Sequence, residues 1–144
     1  MPKLLIILLL FFSLPGISQK KITWDSLKDV RFTDEYSKEV DAYFYYPHFG
    51  PSVKALAGKE IIIEGYMLVI NRKIEAFVLS RNPYAQCFFC GSGGPESIIE
   101  LNLKPGYPHF NMDQVVTIKG RLVLNQNDIY RCNYILEEAE VYEP

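Results

Sequence analysis

Two cysteines three positions apart, Cys87 and Cys90, are the side chains of this sequence best suited to chemistry. They stand in the segment CFFCG, and the glycines that follow let the backbone turn tightly around whatever the thiols hold. A C-x-x-C-G turn places two thiolates on one side, and tetrahedral zinc needs four ligands of this kind. The spacing therefore favours a metal-binding loop as the first hypothesis.

Further ligands for such a metal are scarce in the sequence. There is one other cysteine, Cys132, and there are two histidines, His48 and His109. A second C-x-x-C, which would complete a zinc signature, does not occur. Two thiolates with one histidine also suit copper. The predicted site therefore takes zinc or copper, and its candidate ligands are Cys87, Cys90, Cys132, His48 and His109.

Two other interpretations of the cysteines stay open. In a structural one, two of them form a disulfide and the third is buried as a small hydrophobic side chain, which suits an oxidising compartment. In a redox one, the protein is a thiol–disulfide enzyme. Such enzymes place the motif at the start of a helix, which lowers the pKa of the first thiol. The Gly-Ser-Gly-Gly-Pro run after Cys90 cannot start a helix at once, so the redox interpretation is disfavoured.

Other catalytic arrangements are missing from the sequence. It contains no G-x-S-x-G elbow, no H-E-x-x-H and no phosphate-binding loop. We therefore expect a binding or accessory module rather than an enzyme. One alternative is a barrel whose aromatic face holds a glycan or a peptide, and the candidate rings are Tyr66, Phe77, Tyr130 and Tyr134.

The N-terminus has the features of an export signal. Lys3 precedes an apolar run over residues 4–14, and small residues at positions 16 and 18 suit cleavage before Gln19. A membrane-spanning helix needs about 20 apolar residues, so this run is too short to be an anchor. No cysteine lies near the cut to carry a lipid. Residues 1–18 are therefore predicted to be a cleaved signal peptide, and the mature protein to be periplasmic or secreted without a membrane span.

The charge balance limits the class of partner. The chain has 15 Lys and Arg against 17 Asp and Glu, which gives a net charge of −2 and a pI near 5.7. Proteins that bind nucleic acid normally carry a basic excess. Nucleic acid is therefore not expected as a partner. The expected partner is an unidentified protein or small ligand.

Five segments with β-branched and aromatic residues predict the fold. They cover residues 59–70, 76–80, 97–103, 114–124 and 130–141. Gly65 and Gly120 interrupt the two long segments and predict a bulge or a sharp bend, which a small closed barrel needs. The fold class expected is mainly β, a five-stranded barrel like the oligonucleotide/oligosaccharide-binding (OB) fold over residues 58–144. A β-sandwich or meander with one helix is the alternative.

Residues 19–57 are expected to be an N-terminal extension packed on the barrel. Trp24, Leu27, Val30 and Phe32 suit the buried side of one or two helical turns that lead into an extended piece. Residues 41–46 have a strand-like composition, which the following proline is expected to end. Residues 50–58 predict a short helix, with proline at its first position and glycine at its close.

The sequence resembles a family of small exported bacterial proteins of unknown function. The resemblance lies in W-x-x-L-x-x-V-x-F at residues 24–32, in the segment 58–67, and most specifically in the motif C-F-F-C-G-x-x-G-P-E within residues 77–96. It implies export and an OB-like barrel, and it implies that Cys87 and Cys90 act together. It carries no established activity.

Overall fold

A computed structural model of the protein describes residues 19–87 and 91–144. The predicted signal peptide and Cys90 lie outside the described residues. The strands are β1 Lys20–Lys21, β2 Val30–Ser37, β3 Ala42–Phe49, β4 Glu60–Asn71, β5 Ala76–Ser80, β6 Ile98–Leu103, β7 Gln114–Leu124 and β8 Tyr134–Val141. The helix α1 spans Pro51–Lys54, and short 3-10 turns occur at Trp24–Leu27, Tyr84–Gln86 and Pro95–Ser97. None of these described helices is long and apolar enough to cross a bilayer.

Five strands form a closed barrel. They pair in the order β4-β5-β6-β8-β7, and β7 pairs back onto β4. The pairs are antiparallel except β6 with β8, which run parallel. This strand order and the parallel contact between the third and fifth barrel strands are those of the OB fold. The predicted OB-like barrel is therefore confirmed, and the strands do not form the sandwich considered as its alternative.

Gly65 marks the place where β4 changes partners. Residues 60–67 pair with β7, whereas the strand pairs with β5 from Tyr66 onward. A Cβ atom at Gly65 would lie 2.7 Å from the carbonyl oxygen of Ser80 and 2.9 Å from the Trp24 ring. The pairing with β7 runs through Gly65 without a register shift. The glycine therefore permits close approach at a bend, and no bulge occurs at this position.

A bulge does occur opposite Gly120. Lys119 pairs with Glu140 and Arg121 with Glu137, so β8 has one extra residue at this point. Glu138 takes a positive φ of 51°, which is typical of a distorted strand. The bulge predicted near Gly120 thus lies in β8, the strand that pairs with β7. It increases the local coiling that closes the barrel.

The core fills the barrel with the alternate, inward-facing side chains of its strands. Tyr134 is fully buried there, and its hydroxyl donates a 2.7 Å hydrogen bond to the carbonyl oxygen of Leu27. This bond connects the Trp24–Leu27 turn to the last barrel strand. A second, smaller cluster lies apart from this core and contains Leu68, Val78, Cys87 and Ile98, with Cys132 packed against it.

The N-terminal segment packs on the barrel and contains a two-stranded ribbon. β1 pairs parallel with β4, and β2 pairs only with β3. The prediction that Pro47 ends the strand was wrong, because β3 continues to Phe49, and Pro47 lies opposite Phe32. A two-stranded ribbon leaves one edge of each strand unpaired, and such edges tolerate a residue without an N–H group.

The short helix forms where it was predicted. α1 begins at Pro51, and further turns lead to Gly58, whose φ is +76°. Asp29 accepts hydrogen bonds from the amide and the hydroxyl of Ser52, at 2.9 and 2.6 Å. These bonds hold the pKa of the Asp29 carboxyl below its ordinary value. Asp29 therefore connects α1 to the start of the ribbon.

The fifth barrel strand begins later than predicted. The sequence indicated a strand from Tyr130, whereas β8 starts at Tyr134. The preceding residues form a loop, residues 125–133, that is held by Asn125. The side-chain Nδ2 of Asn125 donates to the backbone carbonyl oxygens of Asp128 and Cys132, at 2.8 and 3.2 Å, and its Oδ1 accepts from the backbone amide of Asp128. These local hydrogen bonds compete with strand pairing, so β8 begins only at Tyr134.

Candidate ligand-binding groove

A groove of about 610 Å³ lies between the β2–β3 ribbon and the barrel. Its floor is formed by β5 and β6. The loop 72–75 borders it, and so does the loop 125–133. The ribbon supplies Phe44 and Tyr45 as a further wall. The groove is therefore built from four separate parts of the chain.

The apolar lining of the groove includes side chains that are unusually accessible. Ile74, in the loop 72–75, is 73% exposed, and Ile70 on β4 is also exposed. Two tyrosine rings, Tyr45 from the ribbon and Tyr130 from the loop 125–133, are 54% and 70% exposed. Exposed apolar side chains that border one concavity are typical of a binding surface.

Glu100 on β6 fixes the position of the loop 125–133. Its Oε1 accepts hydrogen bonds from Nε and Nη2 of Arg131, at 2.9 and 2.6 Å. Its Oε2 accepts from the backbone amide of Cys132 at 3.1 Å. The hydrogen bond to Glu100 raises the pKa of the Arg131 guanidinium. Glu100 thus fastens the loop to the barrel and at the same time neutralises Arg131.

The groove has an excess of negative charge. Its lining includes the carboxylates Glu75, Glu100 and Asp128 and only one cationic side chain, Arg131, so its formal charge is −2. Glu75 accepts a 2.8 Å hydrogen bond from the hydroxyl of Tyr107. Asp128 accepts a 3.0 Å bond from the Tyr130 amide. The two exposed carboxylates therefore stand at the two loops that border the groove.

The ribbon is connected to the barrel across the groove. Gln126 donates a 3.0 Å hydrogen bond to the carbonyl oxygen of Pro47. The hydroxyl of Tyr130 donates to the carboxylate of Glu39 at 3.3 Å, and the charge of Glu39 raises the pKa of Tyr130. These contacts make the ribbon one wall of the groove.

Two of the three cysteines meet in the small cluster outside the core. Cys87 is buried and Cys132 is half-buried, and both are free thiols. Burial raises the pKa of the Cys132 thiol to about 12. Cys132 also borders the groove. Cys90, the partner of Cys87 in the C-x-x-C motif, lies outside the described residues.

The two histidines are exposed and lie on other elements. His48, on β3, has its Nε2 2.9 Å from the hydroxyl of Thr33, and its ring contacts Tyr46. His109 lies in the loop before β7. Within residues 19–87 and 91–144, no group of three or more His, Cys, Asp or Glu side chains is arranged to hold a metal ion. Of the predicted ligands, the described chain therefore brings together only Cys87 and Cys132.

The four predicted aromatic residues do not share one face. Phe77 and Tyr134 belong to the buried core, Tyr66 is half-buried, and Tyr130 is exposed. Phe77 and Tyr130 border the groove. Sequence reasoning missed Tyr45 and Ile74. The isoleucine within the turn NRKIEA was the one local signal in the sequence that could have indicated Ile74.

Comparison with known proteins supports the fold. No family model and no curated protein matches the sequence. A crystal structure of a DUF3299 family protein from Pseudomonas aeruginosa PAO1 is similar, with a TM-score of 0.53 and 17% sequence identity. The match covers 88% of this chain and 98% of that one. At this identity the similarity establishes a shared fold over most of the chain.

Proposed function

We propose that the protein is an exported binding module that holds an elongated organic ligand in the groove, without catalysing a reaction. The observation that carries the proposal is the position of the groove. It lies on the second and third barrel strands and is bordered by the loops between strands one and two and between strands four and five. OB folds bind oligonucleotides and oligosaccharides at this face.

The size and lining of the groove support the proposal. Ligand sites in proteins typically measure about 300–1,000 Å³, and they are mainly apolar with a few polar groups that orient the ligand. The groove falls within this range at about 610 Å³. Ile70, Ile74 and the two exposed tyrosines supply its apolar surface, and Glu75 and Asp128 supply accessible polar groups.

Export is the second component of the proposal, and it rests on the sequence of residues 1–18 alone. Expression of the full chain in a bacterial host, followed by N-terminal sequencing of the extracytoplasmic protein, tests it. We expect the mature chain to begin at Gln19. Retention of residues 1–18 on a cytoplasmic protein would contradict the proposal.

A pair of matched substitutions tests whether the groove binds. Ile74→Asn puts a polar amide on the apolar wall without adding a charge, whereas Val115→Asn puts the same group on β7, outside the groove lining, where the native side chain is 56% exposed. The probes are blocked hexapeptides and neutral six-sugar oligosaccharides, measured by calorimetry. We expect at least one probe class to bind, and Ile74→Asn to weaken that binding on the order of tenfold while Val115→Asn leaves it unchanged. Equal affinities for the two variants would contradict the proposal.

A metal site is a second candidate function. The observation in its favour is that Cys87 and Cys132 lie in one cluster, and Cys90 follows Cys87 closely in sequence. These three residues would hold zinc or copper as thiolates. The raised pKa of Cys132 works against this, because a ligand thiol must lose its proton. It works equally against thiol–disulfide exchange, which needs an accessible thiolate.

Metal analysis of protein purified without a histidine tag tests the second candidate. The metal site predicts near-stoichiometric zinc or copper in the parent protein and its loss in Cys87→Ser. Metal-free protein, or equal metal content in the variant, would remove it. An insulin-reduction assay without turnover would remove the redox alternative in the same way.

A further inference from the structure

The carboxylates of the groove have spare capacity for a cation. Glu100 is occupied by Arg131 and by the backbone of Cys132. Glu75 and Asp128 are exposed, and each accepts a described hydrogen bond through one oxygen, at Oε1 and Oδ1 respectively. A carboxylate offers about four acceptor sites on its two oxygens. Both loops that border the groove can therefore accept hydrogen bonds from a cationic ligand.

The exposed tyrosine rings also favour a cationic ligand. Tyr45 and Tyr130 come from two different parts of the groove lining, the ribbon and the loop 125–133. The face of an aromatic ring attracts an ammonium or guanidinium group within about 6 Å. Asp128 lies two residues before Tyr130 and bonds to its backbone amide, so a carboxylate and an accessible ring stand side by side. This pair suits a lysine or arginine side chain.

The aliphatic side chains of the groove define the rest of the ligand. Ile74, in the loop 72–75, is exposed directly before Glu75, and Ile70 is exposed near the end of β4. Lysine and arginine have apolar stems below their charged groups, and such stems pack on aliphatic surface. A neutral sugar can donate hydroxyl hydrogen bonds to Glu75 and Asp128, but it has no positive charge to pair with them and no aliphatic side chain to pack on the isoleucines. The two free carboxylates would repel the phosphates of a nucleic acid.

On the basis of the proposed function, we propose that the groove binds an extended polypeptide segment that carries lysine or arginine beside aliphatic residues. The charge complementarity of Glu75 and Asp128 selects the cationic side chains. Ile70 and Ile74 select their aliphatic neighbours. Tyr45 and Tyr130 accommodate both kinds of group.

Fluorescence anisotropy with labelled hexapeptides tests this proposal. The main probe alternates valine and lysine and has blocked ends. In two matched probes, glutamate or serine replaces lysine, and a neutral six-sugar oligosaccharide serves as a non-peptide competitor. We expect the lysine probe to bind on the order of tenfold more tightly than the glutamate probe, because attraction is replaced by repulsion at two carboxylates. Added salt should reduce this difference.

Conservative substitutions identify the groups responsible. Asp128→Asn and Glu75→Gln retain an acceptor oxygen and remove the charge, so each should weaken the lysine probe about twofold to fivefold and leave the serine probe unaffected. Glu143→Gln removes a carboxylate outside the groove lining and should change nothing. Tyr130→Phe should retain affinity for the lysine probe, whereas Tyr130→Leu should lower it about twofold to fivefold.

Two results would overturn the proposal in distinguishable ways. If the serine probe or the oligosaccharide binds as tightly as the lysine probe, and Ile74→Asn abolishes that binding, the groove is a binding site but its ligand is not a cationic peptide. If no probe binds, or if Ile74→Asn and Val115→Asn behave alike with every probe, both this proposal and the proposed function fail.

Discussion

Glu100 holds one border of the groove in place. It accepts two hydrogen bonds from Arg131 and one from the Cys132 amide, and so holds the loop 125–133 against β6. Hydrogen bonds to charged groups in a partly buried site contribute more to stability than those on an exposed surface. Charged hydrogen bonds therefore hold the loop against β6 in addition to apolar packing.

The substitution Glu100→Gln tests this role. It removes the charge that pairs with Arg131, and we expect the free energy of unfolding to fall by about 1–2 kcal/mol. Amide hydrogen exchange within residues 125–133 should become faster while that of β4 and β7 stays unchanged. Glu143→Gln, at the exposed C-terminal end, is the matched control. Unchanged exchange in the loop would show that other contacts hold it.

Cys132 gives the fold a dependence on alkaline pH. Burial raises the pKa of its thiol above the ordinary value of 9.0 to about 12. The neutral thiol is thus favoured in the folded state, so this contribution to stability is complete below pH 9 and is lost as the pH rises toward 12. For one proton, the corresponding slope is at most about 1.4 kcal/mol per pH unit.

Urea unfolding of reduced protein between pH 8 and pH 10.5 measures this effect. We expect the free energy of unfolding of the parent protein to fall more steeply above pH 9 than that of Cys132→Ala. The difference between the two curves isolates the thiol from the tyrosines that also titrate there. Parallel curves for the two proteins would mean that the thiol ionises in the folded state as it does in the unfolded chain.

At the scale of the elements, β4 closes the barrel because it pairs with two strands. Gly65 allows this change of partner, since the carbonyl oxygen of Ser80 and the Trp24 ring leave no space for a Cβ atom. The indole N–H of Trp24 also donates to the carbonyl oxygen of Glu64 at 2.8 Å. The N-terminal turn is therefore packed against the bend itself.

Gly65→Ala should destabilise the barrel by about 1–3 kcal/mol, because backbone and ring atoms must move to admit the methyl group. Thermal and urea denaturation measure the effect. Gly94→Ala is a suitable control, because a methyl group there would meet the flexible carboxylate end of Glu96 instead of backbone. Equal stabilities of the two variants would contradict the close approach at β4.

The strands could be predicted from the sequence because their composition and their bends are local signals. All five barrel strands lie where residue types and glycines indicated them. The predicted ends of the strands were less accurate than their positions. Pro47 lies within a strand because the ribbon has free edges, and residues 130–133 leave the strand because Asn125 binds their backbone. Both corrections depend on hydrogen-bond partners that a single segment of sequence does not reveal.

At the scale of the whole molecule, the groove is a product of the tertiary fold. Tyr45, Ile74 and Tyr130 are far apart in sequence, and they approach one another only because the ribbon lies over the second and third barrel strands. No spacing of residue types in the sequence indicates that these three side chains lie close together. The C-x-x-C motif is a local signal in the sequence, yet of the two described cysteines it is Cys132, outside the motif, that borders the groove.

The most direct test of the groove as a ligand site is amide chemical-shift mapping by NMR with the panel of hexapeptides and oligosaccharides. The account predicts that a binding probe shifts the signals of Ile74, Glu100 and Tyr130, with neighbouring residues of β5, β6 and the two bordering loops, while the surroundings of Val115 stay unperturbed. Shifts confined to residues around Cys87, or shifts outside the groove for every probe that binds, would contradict it.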